Sequence, residues 1–350
     1  MDTQHKIKLL TIIIPAYNCK AFITNALSSI DYASHEKFEV LVVDDGSTTR
    51  WKHLINPWLK KYRGCVKYLC KTNSNWGGVI NFGFKHAKGT FVKILDSDDE
   101  FVKEHFNDYL HNLQQCLKHN VDVVVNSYAF CIKNTNQIIK RKYSNNSKIS
   151  FASLDKMRIF KLFTHHCITI SKKLITKFKP LPIHCFYSDN DYIYQILLIG
   201  NKVALLPKWL SIYHYNIHDV NQSVHLDTLI KKINDIKTVF HSMLTVPLPK
   251  NISHRRALLL LKSIQSMFYL IMVCISFDED LYHFQKKVQL ATELSYLEVH
   301  ANRKEFKSLV NIGYALLVKH FPKRIIFQLT RFICQTWPTG YLSIIRKFNT

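Results

Sequence analysis

The stretch FEVLVVDDGS, residues 38–47, joins a valine-rich apolar run to two carboxylates, a glycine and a serine. An apolar run of this length predicts a buried β-strand, and the four residues after it form a turn and helix-cap signal. Strand-like runs alternate with helical spacing along the chain, at residues 9–14, 66–70, 91–95, 121–125 and 202–206. This alternation predicts an α/β fold, with a mostly parallel sheet covered by helices on both faces. We expect the first strand to end at Ile14, because Pro15 follows it.

The composition is that of a globular protein with an unusual excess of positive charge. Of the 350 residues, 47% are hydrophobic and 21% are charged, which excludes wholesale disorder. The net charge of +23 indicates an anionic partner, such as nucleic acid, an anionic membrane surface or a phosphorylated substrate. Nine cysteines without C-x-x-C spacing favour reduced thiols and a cytoplasmic location, and no signal peptide is predicted at the N-terminus.

The pattern changes at about residue 225, where strand signals fade and basic helical segments follow. We therefore predict an α/β domain over residues 1–225 and a basic α-helical region over residues 226–350. The apolar window 257–277 is interrupted by Lys262 and Gln265, so we expect a buried helix there rather than a bilayer span. From Phe321 the tail is amphipathic, and two interpretations stay open: a helix lying on an anionic leaflet, or one packed on the protein's own core.

Acidic residues gather at the ends of two predicted strands. Asp44 and Asp45 follow one strand, and Asp96, Asp98 and Asp99 follow another. Ligands of open parallel sheets bind just beyond the carboxyl ends of the strands. A helix cap uses one carboxylate, whereas three so close together repel one another unless a cation lies among them. Mg²⁺ and Mn²⁺ take oxygen ligands of this kind, so the second cluster predicts a metal site.

Four segments, in their order and spacing, resemble the nucleotide-sugar-binding half of a glycosyltransferase family 2 enzyme with the GT-A fold. They are TIIIPAYN (11–18), VLVVDDGST (40–48), NWGGVINFGFKHAKG (75–89) and ILDSDDEF (94–101). The resemblance covers residues 8–102 and continues more loosely through an acceptor half, residues 103–225. The glycine-rich segment is similar to that of the bacterial branch that builds capsular, exopolysaccharide and related cell-surface glycans. The usual arginine of that segment is absent, and Ile80 stands near its place.

The resemblance implies a UDP-sugar donor and places several residues around it. The loop of Pro15, Ala16 and Tyr17 would lie against the base, which is usually uracil. Asp45, or its neighbour Asp44, would accept a hydrogen bond from that base. The other positions implied at the donor are Asn75, Gly78, Asn81, Asp96, Ser97 and His214, the last as a substitute for an arginine that the family usually has there.

The same resemblance assigns roles to the three carboxylates of the second cluster. Asp98 would be the main ligand of Mn²⁺ or Mg²⁺. Asp96 would lie toward the ribose and share in the metal site. Asp99 would complete the metal shell or cap the next segment.

Two further carboxylates, Asp189 and Asp191, begin an apolar helical stretch in FYSDNDYIYQILL (186–198). They suit an N-cap and a first-turn acid favoured by the helix dipole. The resemblance implies instead that one of them is the general base that deprotonates the acceptor hydroxyl, with Asp189 preferred and Asp191 second. Ser188 stands where many relatives have glutamate.

Histidines and cysteines cluster at two places, His165, His166 and Cys167 at the first and His184 and Cys185 at the second. Adjacent residues of a strand face opposite ways and the spacing fits no recurrent zinc pattern, so we do not expect a zinc site. The resemblance makes His166 a candidate on the acceptor side.

The function implied is that of a metal-dependent inverting glycosyltransferase that moves a sugar from a UDP-sugar to a hydroxyl of a glycan or lipid-linked acceptor. The alternatives are a nucleotide-dependent transferase of a non-sugar group and, less favoured, a basic nucleic-acid-binding protein. No basic, aromatic-interleaved stripe supports the latter, so no nucleic-acid partner is expected. We expect a cytoplasmic protein, with peripheral contact to the anionic inner face of the plasma membrane as a further hypothesis. The sugar, the linkage and the oligomeric state are not predicted.

Overall fold

The structure is a computed structural model that describes residues 8–132, 137–144, 146–156, 163–215 and 231–246, together with residues 253, 255, 256, 259, 260 and 263. The chain divides into two compact units, the first formed by residues 1–159 and 163–219 and the second by residues 160–162 and 220–350. The predicted boundary at 225, nearly all of the apolar window 257–277 and the tail from Phe321 lie outside the described residues. They stay predictions.

The first unit contains ten strands and six helices among its described residues, and one helix is described in the second unit. The strands are β1 Leu10–Ala16, β2 Phe38–Asp44, β3 Val66–Cys70, β4 Phe91–Ile94, β5 Glu100–Phe101, β6 Val123–Ile132, β7 Gln137–Arg141, β8 Ser150–Ser153, β9 Ile168–Ser171 and β10 Lys202–Tyr215. The helices are α1 Ile23–Ser28, α2 Asn56–Lys61, α3 Asn75–His86, α4 Lys103–Lys118, α5 Lys172–Ile175, α6 Ser188–Ile199 and α7 Ile233–Leu244. Short 3-10 helices span Tyr32–Lys37, Lys52–Ile55, Leu154–Lys156 and His165–Cys167.

The ten strands form one sheet in the order β3-β2-β1-β4-β9-β6-β10-β5, with β7 paired to β6 and β8 to β10. Strands β3, β2, β1 and β4 run parallel, as the alternating pattern predicts, and so do β6 and β10. Strand β9 enters between β4 and β6 and is antiparallel to both. The predicted α/β class is confirmed, and the antiparallel β9 is a feature that the periodicity does not predict.

The core lies on both faces of the parallel strands. All seven residues of β2 are buried, and β1 is buried except at Pro15. The buried Glu39 carboxylate is not left alone, since it accepts hydrogen bonds from Thr11 Oγ1 at 2.9 Å and from Lys67 Nζ at 2.6 Å. Partnered in this way, a carboxylate can lie inside the sheet without the full cost of burying a bare charge.

The expected end of β1 at Ile14 is wrong, because the strand continues through Pro15 to Ala16. Ile13 accepts a hydrogen bond from the backbone of Leu95 on the β4 side of the strand. Pro15, two residues on, faces that same side, beyond the last residue of β1 that pairs with β4. Its missing N–H therefore removes no ladder hydrogen bond, and the strand can run on.

Helix α3 forms from the glycine-rich segment, for which no helix was predicted. Gly77 at its start lies so close to Pro182 O that a Cβ there would clash. The first turn of α3 thus packs directly on the loop that leads to α6. None of the helices in the described part of the chain is long and apolar enough to cross a membrane.

Candidate active site

The site lies at the edge of the sheet where β1, β2 and β4 end. Strand β9 is antiparallel to β4, in the register Lys93 to Thr169, so β9 begins where β4 ends. The 3-10 turn His165–Cys167 that precedes β9 therefore meets the acidic segment 96–99 that follows β4. The start of α6 brings Asp189 to the same place, within 3.6 Å of His165.

The Asp96 carboxylate is held from two sides. Trp76 Nε1 donates a hydrogen bond to its Oδ1 at 3.0 Å, and His165 Nε2 lies 2.7 Å from its Oδ2. Burial works against ionisation of Asp96, but the charge and hydrogen bond of His165 outweigh it and hold the pKa of this carboxyl well below its usual range. Asp96 is thus a carboxylate throughout the physiological pH range.

His165 contacts two carboxylates at once. Besides Asp96, its Nδ1 lies 3.6 Å from Asp189 Oδ2. Burial lowers the basicity of the imidazole, but the two carboxylates overcome this effect and raise the pKa of His165 to about 10. Since the ring carries a proton on each nitrogen when charged, it can donate to both partners.

Asp99 and His166 form a second pair directly beside the first. His166 Nδ1 lies 2.9 Å from Asp99 Oδ2, and the backbone N–H of His214 donates to Asp99 Oδ1 at 3.1 Å. Burial, then the nearby Asp96 and Asp98, raises the pKa of Asp99 well above its usual range. Burial and the charge of His165 lower the pKa of His166. Both shifts favour the neutral forms of the two side chains.

The expectation that His165 and His166 face opposite ways is wrong. They lie on a 3-10 turn instead of a strand, and their ring centroids are 3.8 Å apart. As a result Asp96, His165 and His166 offer ligand atoms that all lie within 4.8 Å of one another. Two imidazoles and a carboxylate suit a transition-metal ion, so the residues present fit a divalent cation. Asp98, the predicted main ligand, is half-buried in the same turn.

The residues predicted to bind the base lie together at the ends of β1 and β2. Asp44 accepts hydrogen bonds from the Ser47 backbone at 2.9 Å and from Tyr68 Oη at 2.6 Å. Asp45 accepts from Lys71 Nζ at 2.7 Å and from the Ser74 backbone at 3.0 Å. Both carboxylates are therefore oriented by protein donors.

The loop of Pro15, Ala16 and Tyr17 is joined to this pair, because the Asp45 N–H donates to Ala16 O at 2.8 Å. Tyr17 itself is 51% exposed and projects from the edge of the sheet. The loop thus offers an accessible aromatic ring beside an oriented carboxylate.

The other predicted donor residues are distributed around α3 and β10. Asn75 opens α3 with a positive φ of 62°, and Gly78 packs against the Ser74 side chain in the first turn. Asn81 exchanges hydrogen bonds with the Leu181 backbone, at 2.9 and 3.0 Å, which gives it a structural contact. Ser97 is half-buried between Asp96 and Asp98, and His214 Nε2 lies 3.1 Å from Glu100 Oε1. Their roles in donor binding stay predictions.

The two candidate bases differ in accessibility. The Asp189 side chain is 38% exposed and points toward His165. Asp191 is wholly buried, and its Oδ2 accepts a hydrogen bond from Gln195 at 3.3 Å. A base must reach the proton that it removes, so the geometry favours Asp189.

Several residues that build the site were not predicted as site residues from the sequence, among them Trp76, His165 and Lys71. The one with a readable signal is Lys93, a lysine in the middle of the apolar run FVKIL. It is wholly buried, and its Nζ donates to His166 O at 2.7 Å and to Ile168 O and Asn126 Oδ1 at 3.3 Å each. Burial lowers the pKa of Lys93 to about 8. Lys93 supports the turn that carries the two histidines.

The sequence matches the family described as Glycosyl transferase family 2 over residues 11–178. It is 32% identical over 216 residues to an uncharacterized glycosyltransferase, MG025, of Mycoplasma genitalium, covering 58% of this chain and 68% of that protein. The homolog of MG025 from Mycoplasma pneumoniae is 42% identical over 104 residues, which are 28% of this chain and about a third (34%) of that protein. The minor teichoic acid biosynthesis protein GgaB of Bacillus subtilis is 24% identical over 219 residues, 61% of this chain and 23% of that protein. The chain belongs to glycosyltransferase family 2.

Solved structures share the fold of the chain. S. aureus TarS 1-349 in complex with UDP-GlcNAc superposes with a TM-score of 0.59 at 19% identity, covering 95% of this chain and 92% of that one. The mannosyltransferase PcManGT from Pyrobaculum calidifontis, in complex with GDP-Man and Mn²⁺, gives a TM-score of 0.51 at 14% identity, covering 95% and 89%. The fold is that of the GT-A glycosyltransferases, as the resemblance predicts.

Proposed function

We propose that the protein is a metal-dependent inverting glycosyltransferase that moves a sugar from a UDP-sugar to a hydroxyl of a glycan or lipid-linked acceptor. The observation that carries this proposal is that His165, at the carboxyl edge of the sheet, contacts both Asp96 of the acidic segment and the partly exposed Asp189. Structures with this fold hold UDP-GlcNAc in one case and GDP-Man with Mn²⁺ in another.

The donor would occupy the edge of the sheet between β1 and β4. Pro15, Ala16 and Tyr17 would lie against the base, and Asp45, oriented by Lys71, would accept a hydrogen bond from it. Asp96 would face the ribose. Asp98 would hold the metal together with Asp96 and Asp99, and a bound divalent cation would neutralise charge that develops on the leaving diphosphate.

Asp189 would act as the base from the opposite side of the sugar. An acceptor hydroxyl loses its proton only as the new glycosidic bond forms, so a positioned carboxylate suffices for this role. The electron pair of the glycosidic C–O bond leaves with UDP, while the acceptor oxygen attacks the opposite face of the anomeric carbon. Such in-line displacement inverts the configuration at that carbon.

We further propose that the acceptor belongs to a cell-surface glycan such as a capsular polysaccharide or a related polymer. The relative GgaB bears the name of a teichoic acid biosynthesis protein, which supports this class. The net charge of +23 favours an acceptor or a membrane surface that is anionic, and so peripheral contact with an anionic leaflet from the cytoplasmic side.

The function is tested by measuring whether UDP and Mn²⁺ together raise the melting temperature, and whether a UDP-sugar panel yields UDP in a metal-dependent way. We expect stabilisation with both ligands and turnover of one sugar donor. If neither UDP nor another nucleoside diphosphate stabilises the protein in the presence of Mn²⁺ or Mg²⁺, the proposed donor site is wrong. Transfer of a non-sugar group from a nucleotide would instead support the alternative enzymatic class.

A further inference from the structure

The imidazole of His165 lies between the donor side and the acceptor side of the site. We propose that His165 is a positioning residue, which holds the carboxylates of Asp96 and Asp189 in a fixed relation, one on each ring nitrogen. This role rests on the function proposed above, which places Asp96 at the donor and makes Asp189 the base.

The first observation is the geometry of the bridge. His165 Nε2 lies 2.7 Å from Asp96 Oδ2, and Nδ1 lies 3.6 Å from Asp189 Oδ2. Asp96 follows β4, whereas Asp189 lies in the first turn of α6, more than ninety residues later. The first distance is that of a short charge-assisted hydrogen bond, and the second is within ion-pair distance. One ring therefore links carboxylates from two separate elements.

The second observation is that the ring cannot readily turn away. Its side chain is only 11% exposed. Trp76 packs against it edge to face, with ring centroids 5.2 Å apart at 62°, and also donates to Asp96. The ring of His166 covers it from another side at 3.8 Å. Lys93 Nζ donates a hydrogen bond to the His166 carbonyl of the 3-10 turn. A buried ring fixed by packing is a rigid spacer between its two partners.

The third observation concerns which oxygen of the base is used. Asp189 turns Oδ2 to His165, and Oδ1 receives a 3.4 Å contact from the Asn190 amide, at the limit of a hydrogen bond. With Oδ2 turned to His165, Oδ1 is the oxygen that we assign to the incoming hydroxyl. His165 thereby sets both the rotamer of Asp189 and its distance from the donor side. A base misplaced by about 1 Å can lose on the order of a hundredfold in rate.

The inference is tested with two variants of this residue and one control. His165→Phe keeps a flat ring and removes both nitrogens, His165→Gln keeps one donor, and His53→Phe alters an exposed histidine of the 3-10 helix Lys52–Ile55. UDP binding with Mn²⁺ is measured by calorimetry, and metal-dependent hydrolysis of the UDP-sugar that the donor panel identifies gives kcat and KM. We expect His165→Phe to lower kcat at least thirtyfold with the UDP Kd and the donor KM changed less than threefold, because Trp76 still holds Asp96. Loss of the Mn²⁺ effect on UDP binding in this variant would make His165 a metal ligand and overturn the positioning role. The kcat of His165→Gln should lie between those of the wild type and His165→Phe, and the kcat of His53→Phe should match that of the wild type.

A mutant cycle with Asp189→Asn separates positioning from a general structural effect. In the Asp189→Asn background, His165→Phe should lower kcat less than threefold further, since there is no base left to position. The same cycle is measured in the denaturant midpoint of unfolding, which needs no donor. The double variant should lose less stability than the sum of the losses in the two single variants. The stability change of His53→Phe should instead add fully to that of Asp189→Asn. Additive losses in the unfolding cycle, or an unchanged kcat in His165→Phe, would overturn the role of His165. Failure of UDP to bind the wild type would instead overturn the proposed function.

Discussion

The Lys93 ammonium lies 2.7 Å from the carbonyl oxygen of His166, although Lys93 belongs to a strand in the middle of the sheet. Burying a lysine ammonium away from water costs free energy unless hydrogen-bond acceptors surround it, and three oxygens surround Lys93. Lys93 thus fixes the backbone of the turn whose side chains contact Asp96 and Asp99. The site is supported from inside the core as well as from its rim.

Replacing Lys93 with methionine should destabilise the fold by about 2–4 kcal/mol, because three buried acceptors lose a charged donor. Chemical denaturation measures the loss directly. The matched control is Lys85→Met, at an exposed lysine in the last turn of α3, which should change the stability by less than about 0.5 kcal/mol. Equal losses in the two variants would contradict the supporting role of Lys93.

The pH dependence of stability should also differ between the wild type and Lys93→Met. Burial lowers the pKa of Lys93 from 10.5 to about 8, so between these values the unfolded chain binds more protons than the native one. The wild type should therefore gain stability over Lys93→Met as pH rises from about 8 to 10.5, by at most about 1.4 kcal/mol for each pH unit. Denaturation of both proteins across this window measures the gain, and taking the difference cancels groups common to both. A difference that is flat, or that falls with pH, would show that the native state does not lower the pKa of Lys93.

Removing one carboxylate of the acidic turn should abolish the effect of metal on UDP binding. In Asp98→Asn we expect Mn²⁺ to strengthen UDP binding less than threefold, compared with tenfold or more in the wild type, because a neutral amide is a poor ligand for a hard cation. Calorimetry with and without Mn²⁺ gives both values. Asp108→Asn, on the exposed surface of α4, is the control and should behave as the wild type. Full metal dependence in Asp98→Asn would assign the metal to other residues, with Asp96, His165 and His166 next to be tested.

The two acidic residues of α6 should respond differently to the same substitution. Asp189→Asn should keep the UDP Kd and lower sugar transfer by a factor of about 10²–10⁴, as expected for loss of a general base. Asp191→Asn should act mainly on stability, because Asp191 is wholly buried and accepts from Gln195. Steady-state kinetics and thermal melting on both variants separate these effects. If Asp189→Asn transfers sugar normally and a stable Asp191→Asn does not, Asp191 is the base and Asp189 is not.

The sequence predicted the parallel half of the fold because each strand there is a local apolar run. VKYLC (66–70) forms β3 with the predicted bounds, and FEVLVV (38–43) lies within β2. The continuation of β1 through Pro15 could not be predicted from its own segment of sequence. It depends on where β4 stops beside it, which is a property of the neighbouring strand.

The acidic residues of the site could be located from sequence, whereas their partners could not. Asp96 and Asp99 stand at a strand end that the apolar pattern marks. Their contacts with His165 and His166 depend on the antiparallel entry of β9, seventy residues later, and no local pattern encodes that direction. The pair was assigned to a strand, where adjacent side chains diverge, and the 3-10 turn instead brings them together.

The direction of β9 also bears on how the protein can be altered. Asp44, Asp45 and Asp96 lie at the ends of strands from the first hundred residues, while residues 163–167 reach the same edge from the later part of the chain. A graft of that turn would exchange the histidine partners of Asp96 and Asp99 and leave the hydrogen bonds of Asp44 and Asp45 untouched. The surroundings of Asp96 and Asp99 can therefore be engineered separately from those of Asp44 and Asp45, with residues 163–167 as the exchanged segment.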